Sequence, residues 1–233
     1  WPWPDQPVPA DDAVDAFVGA VEDAGVQLVG LNFFAGDLAG PDCGVLSIPA
    51  RSREFRDNID VTLGIGQALG VRGFNALYGN RVSDATPEQQ DDLAAENLTL
   101  AAKAAAPIGG TILVEPVSGP KPYPLRTASD VIAVLDRVQA PNVGLLCDLF
   151  HLANNGDDID AALAAYGSRI AHVQIADYPG RGEPVRQLVP TPFQVAVGDR
   201  TVVAHDRHGG GIGLRRLGDH RGERPGLASQ PHG

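Results

Sequence analysis

Three short apolar runs each end on a polar residue able to bind a hard metal ion. Ile112-Leu113-Val114 ends on Glu115, Leu145-Leu146-Cys147 on Asp148, and His172-Val173 on Gln174. Two carboxylates and an amide oxygen suit Mg²⁺ or Mn²⁺ better than a metal that seeks thiolates. A single acid at the end of a strand is often a helix N-cap or a solvated loop residue, but three in register on successive strands call for a shared purpose. His151 follows Asp148 by three and reads either as a contact to a substrate oxygen or as a satisfied loop residue. His172 lies two before Gln174, on the same side of a strand, and reads either as a further contact or as interior packing. Arg181, in a Gly/Pro loop with Glu183, either grips an anionic substrate or is surface charge. Cys147 points away from Asp148 and reads as a small buried hydrophobe.

These residues converge only if the strands that carry them are parallel and adjacent. Amphipathic helical stretches alternate with short apolar runs from Asp11 to about Ala176. Val14, Phe17, Val18 and Val21 give Asp11–Ala24 a helical stripe, with Gly25 as its stop. The run Val26–Phe34 reads as a strand. Arg51–Leu69 reads as a helix closed by Gly70, and Gly73–Tyr78 as a strand. Thr86-Pro87-Glu88-Gln89 is a capping box with proline in the first turn, opening a helix that Pro107 ends. Thr111–Val114, Val143–Cys147 and Ile170–Ile175 read as strands. Thr127 with Asp130 caps a further helix, and Asp157–Tyr166 is a short one. Strands that are apolar throughout suit a parallel sheet covered on both faces, and strand–helix alternation means βαβ units. Five strands fit either a doubly wound sheet or part of a (β/α)8 barrel, and periodicity does not choose between them.

The bulk properties narrow the function. The 233 residues carry a net charge of −11, which argues against binding a phosphate backbone. No apolar run reaches the roughly 18 residues that a membrane helix needs. There is no nucleophile elbow, no phosphate-cradling Gly-Lys-Ser/Thr loop and no dinucleotide fingerprint, since Gly64-Ile65-Gly66 lies within a helical pattern. Two cysteines, Cys43 and Cys147, make no disulfide framework, and a cytoplasmic setting is expected. With no methionine in the chain, not even at position 1, the sequence reads as beginning inside a longer product. Residues 184–233 differ in character: seven Arg, no Lys and four acidic residues give a balance of +3, with nine Gly and four of the six His. Phe193–Val197 and Thr201–Ala204 suit a hairpin around Gly198-Asp199.

The sequence resembles the hydroxypyruvate isomerase group of the xylose-isomerase-like barrels over about residues 1–183. The resemblance rests on Asn32–Asp37, Glu54-Phe55-Arg56 with the helix to Gly70, Tyr78-Gly79-Asn80, Val114-Glu115-Pro116, Cys147–His151, and His172–Asp177 with Pro179-Gly180-Arg181. It implies a (β/α)8 TIM-type barrel with a divalent metal, Mg²⁺ or Mn²⁺, at the C-terminal ends of its strands. By position, Glu115, Asp148 and Gln174 match three of four metal ligands, and Glu115 also matches one of two acid/base glutamates. His151 and Arg181 match substrate contacts, and His172 is a third candidate contact. The implied reaction, in carbohydrate metabolism, is aldose–ketose isomerisation through a metal-stabilised enediolate. The implied partner is a small hydroxy-carbonyl acid or sugar, with neither nucleic acid nor membrane. Association into a homo-oligomer is a further expectation.

The pattern departs from the family at both ends. The first βα unit and the last strand, with its ligand glutamate, have no counterpart. The expected organisation is therefore a partial barrel over residues 1–183, followed by an Arg/Gly/Pro-rich tail over 184–233 that is either disordered or out of frame. Three alternatives stand beside the isomerase: a ketose 3-epimerase on the same barrel, a catalytically inactive fragment, and, least favoured, a DNA-repair enzyme.

Overall fold

Five strands pair side by side in the order in which the chain lays them down, and every pairing is parallel. The computed structural model describes residues 1–182 and, as backbone alone, three further strands between positions 193 and 216. The parallel strands are β1 (Gly30–Asn32), β2 (Gly73–Asn75), β3 (Thr111–Val114), β4 (Val143–Asp148) and β5 (Ile170–Gln174). Helix α1 (Asp11–Asp23) precedes β1, and α2 (Ser52–Leu69), α3 (Pro87–Ala105) and α4 (Ala128–Leu135) link successive strands. Two short helices, α5 (Leu149–Asn155) and α6 (Ile159–Tyr166), join β4 to β5. A doubly wound sheet reverses its strand order at a switch point. An unreversed order with a helix in every connection is the wall of a (β/α) barrel, so the described strands form a half-barrel.

Register decides which side chains share a face. Asn32 pairs with Asn75 and Asn75 with Leu113, while Leu146 pairs with His172 and Asp148 with Gln174. Because side chains alternate along a strand, Glu115 emerges on the same face as Leu113 and Asn75. The other face carries Phe74, Ile112, Val114, Leu145 and Cys147, which pack with Phe55, Leu63, Leu98 and Val131 of the helices into one apolar core. Burial of a side chain such as Phe74, fully buried here, contributes roughly 1.5–3 kcal/mol. Helix α2 lies close on that face because Gly66 has no side chain: a Cβ there would sit 2.4 Å from the Phe74 ring.

The local signals hold at the helix ends. Thr86 with Gln89 and Thr127 with Asp130 both form complete capping boxes. Gly70 ends α2 at φ 73°, a left-handed conformation that glycine adopts without steric cost. Two strands are shorter than the apolar runs that announce them. The run Val26–Phe34 yields only β1, with Val26 and Val29 exposed. The run Gly73–Tyr78 stops pairing after Asn75, and its remainder is a buried loop whose Tyr78 bridges to Gly44. Helix α5 was not expected, because seven residues that begin on a strand-end acid show no helical period.

The expected hairpin is present as β6 (Phe193–Val197) paired antiparallel with β7 (Arg200–Ala204), and β8 (Gly213–Arg216) adds a third strand beside β7. Its turn residues Gly198 and Asp199, and the rest of the 184–233 tail, lie outside the described residues. No helix among the described residues is long and apolar enough to cross a membrane.

Candidate active site

The carboxyls of Glu115 and Asp148 and the imidazole of His151 each offer an atom within 4.8 Å of the others, and all three residues are buried. Each carboxylate arrives with one oxygen tied. Glu115 Oε1 accepts a hydrogen bond from Asn75 Nδ2 at 2.8 Å. Asp148 Oδ1 accepts from the backbone N–H of Phe150 at 2.9 Å and of His151 at 3.1 Å, which makes Asp148 the N-cap of α5. The bland reading of this acid is thus correct for one of its oxygens. Its Oδ2 faces the centre, 3.8 Å from His151 Nε2 and 4.0 Å from a guanidinium nitrogen of Arg181.

Burial raises the Glu115 pKa from 4.5 to about 7; the Asn75 hydrogen bond opposes this, the Asp148 charge adds to it, and Arg181 opposes it. Two buried carboxylates that repel one another are the setting a divalent cation relieves. Gln174, exposed at the end of β5, is in register with Asp148 and leaves the sheet on the same face with an amide oxygen. The residues present therefore fit an oxygen-ligated metal.

His151 is held differently. Its Nδ1 accepts the backbone N–H of Ser118 at 3.0 Å, with the Ser118 hydroxyl 2.8 Å away. A ring nitrogen that accepts carries no proton, so the neutral imidazole has its proton on Nε2, the atom that faces Asp148 and Arg181. A protonated Nε2 is a donor and not a metal ligand. His151 belongs to the cluster by distance, yet its tautomer gives it the role of hydrogen-bond donor. Burial lowers its pKa, with Asp148 opposing and Arg181 adding to the shift, which keeps the ring neutral.

Arg181 closes the site from the loop after β5. Its guanidinium lies 4.8 Å from the Phe150 ring centre and 3.4 Å from His151 Nε2, an approach of two donors and not a hydrogen bond. Its backbone has φ 50°, which is uncommon for a residue with a side chain, and hydrogen bonds to Asp177 on either side hold it there. Strained backbone of this kind clusters at functional sites. His172 lies one step down β5 from Gln174, half-buried opposite Leu146, and its side chain makes no hydrogen bond with the described residues. Of the six residues singled out from sequence, the structure brings Glu115, Asp148, His151 and Arg181 together. It sets Gln174 beside them and His172 one register step below.

Three contributors were not foreseen. Asn75 is the polar end of β2, as Glu115 follows β3, but drawing that strand out to Tyr78 hid it. Tyr123, whose hydroxyl donates to the backbone oxygen of Glu115 at 3.2 Å, and Ser118 act across loops and leave no local signal.

Residues 1–214 match the xylose isomerase-like TIM barrel family. Over 197 residues, 82% of the chain, the sequence is 52% identical to a Streptomyces coelicolor protein assigned as a hydroxypyruvate isomerase, covering 71% of that protein. It is 30% identical over 155 residues to the hydroxypyruvate isomerase of Escherichia coli K12, covering 66% of this chain but only 60% of the relative, less than two thirds of its length. The crystal structure of a family 2 AP endonuclease from Brucella melitensis superposes with a TM-score of 0.67 at 30% identity, over 73% of this chain and 67% of that one. With strand order, strand-end carboxylates and sequence in agreement, the chain belongs to the xylose isomerase-like TIM barrel family.

Proposed function

We propose that the chain is an isomerase of the hydroxypyruvate isomerase type, acting on a small hydroxy-carbonyl acid, with Mg²⁺ or Mn²⁺ held by Glu115, Asp148 and Gln174. Interconverting a 2-keto-3-hydroxy acid with its 2-hydroxy-3-oxo isomer takes a proton from C3 and returns one to C2. A hydroxyl proton passes from O3 to O2, so the reaction has no net proton. Glu115 is the group that takes or returns the carbon-bound proton. His151 donates its Nε2 proton to a substrate oxygen, and Arg181 pairs with the substrate carboxylate. The divalent ion, when bound, supplies stabilisation of the negative charge that develops on the substrate oxygens. The two free thiols, both buried, suit a cytoplasmic setting.

The observation that carries this reading is the convergence of two buried carboxylates beside a histidine fixed as a donor. Isomerisation of hydroxypyruvate, followed with and without Mn²⁺ and beside Glu115→Gln, tests it. Metal-dependent turnover that the substitution abolishes supports the reading. A folded, Mn²⁺-loaded chain that leaves hydroxypyruvate untouched overturns it.

A further inference from the structure

We propose that Asn75 is a positioning residue for this reaction: its amide holds Oε1 of Glu115 so that Oε2 alone is presented to metal and substrate. The inference rests on the isomerase reading and goes beyond it by naming what orients the central carboxylate. Asn75 ends β2, in register with Leu113 two residues before Glu115, and is 6% exposed. Its Nδ2 donates to Oε1 at 2.8 Å, and no other described residue donates to this carboxylate. The carboxylate that a metal would bind is ionised and only accepts, and it is Nδ2, not Oδ1, that the amide turns towards it.

The other half of the argument is what that orientation leaves behind. Asn75 Oδ1 is buried without a hydrogen-bond partner among the described residues. An unpaired buried carbonyl disfavours folding, and leucine, of similar size, would fill the same space without it. What asparagine secures in exchange is its hydrogen bond to the buried Glu115 carboxylate, which leucine would leave without a donor. The backbone of Glu115 is already fixed, because the Tyr123 hydroxyl donates to its carbonyl at 3.2 Å and also accepts the N–H of Tyr78 at 3.0 Å. The freedom that remains is rotation of the side chain, and the Asn75 hydrogen bond removes it. Partners of this kind orient ligand carboxylates in metal sites generally.

Asn75→Leu removes the donor at nearly constant volume, and Asn75→Asp keeps the shape while replacing the donor with an acceptor. Both are expected to lower kcat, taken per folded chain as measured by circular dichroism, by about 10–100-fold, with KM for hydroxypyruvate changed by no more than about threefold. Crystal structures of the two variants without metal are the second readout, with the Glu115 carboxylate expected to leave its present position. Unchanged kcat in either folded variant, or an unmoved carboxylate, overturns the proposal, as does failure of both variants to fold. If the parent chain has no turnover, the isomerase reading fails while the carboxylate position in the variants still decides the role of Asn75.

Discussion

Replacing Asp148 by asparagine and, separately, by alanine should pull apart the two jobs this side chain performs. Its Oδ1 starts helix α5 by accepting two backbone N–H groups, and its Oδ2 faces the centre of the site. Asparagine ranks with aspartate as an N-cap, so Asp148→Asn keeps the first job and loses the second. Its stability should fall within about 0.5 kcal/mol of the parent chain. Asp148→Ala loses the cap as well, at about 0.5–2 kcal/mol, which for a chain of this size lowers Tm by about 1–8 °C. The lost Arg181 contact adds little, since the atoms are 4.0 Å apart and the guanidinium is 56% exposed. Both variants should bind Mn²⁺ more than about 100-fold more weakly, beyond the 10–100-fold that removal of a supporting partner gives. Thermal unfolding followed by circular dichroism in EDTA, with Mn²⁺ titration calorimetry on the same samples, reads both effects. Equal destabilisation by asparagine and alanine would refute the capping argument, and retained Mn²⁺ affinity in Asp148→Asn would refute the ligand argument.

Two further outcomes follow from the site. The folded pKa of Glu115, about 7, lies above its ordinary 4.5, so the metal-free chain is destabilised as pH rises from about 4.5 to 7. The loss is on the order of 3 kcal/mol. The lowered pKa values of His151 and His172 act in the opposite direction around pH 6.5, so the effect is isolated by comparison with Glu115→Gln. In EDTA the variant should gain on the parent chain between pH 5 and pH 8, measured by urea midpoints, and a constant gap contradicts the assignment. Arg181→Ala should raise KM for an acid substrate by roughly 10–100-fold, as expected for a lost hydrogen bond to a charged group, with a smaller change in kcat. Steady-state kinetics that leave KM unaltered would remove Arg181 from the binding site.

Much of the fold was legible because its signals are local. A capping box needs residues only three apart, and Thr86 with Gln89 and Thr127 with Asp130 each form one where the sequence places it. The limits of β3 are also those of the apolar run Thr111–Val114. Strands β1 and β2 were overdrawn because an apolar run does not encode where strand pairing stops. The residues after Asn75 are as apolar as those before it, yet only Ala76 still donates to β3, at the Leu113 oxygen, while Tyr78 bridges to Gly44.

The sequence by itself determined the chemistry available: two carboxylates and an amide at the ends of successive strands, with a histidine and an arginine in the segments that follow. Side-chain types and the apolar runs before them are properties of short segments, so they can be read without the fold. Only the tertiary structure decided that the strands keep the order β1-β2-β3-β4-β5, which makes the sheet a barrel wall. It alone set the Ser118 amide against His151 Nδ1, turning a possible ligand into a donor, and brought Asn75 to Glu115. Those contacts span 33 and 40 residues of chain, and a hydrogen bond across such a distance exists only once the strands between have paired.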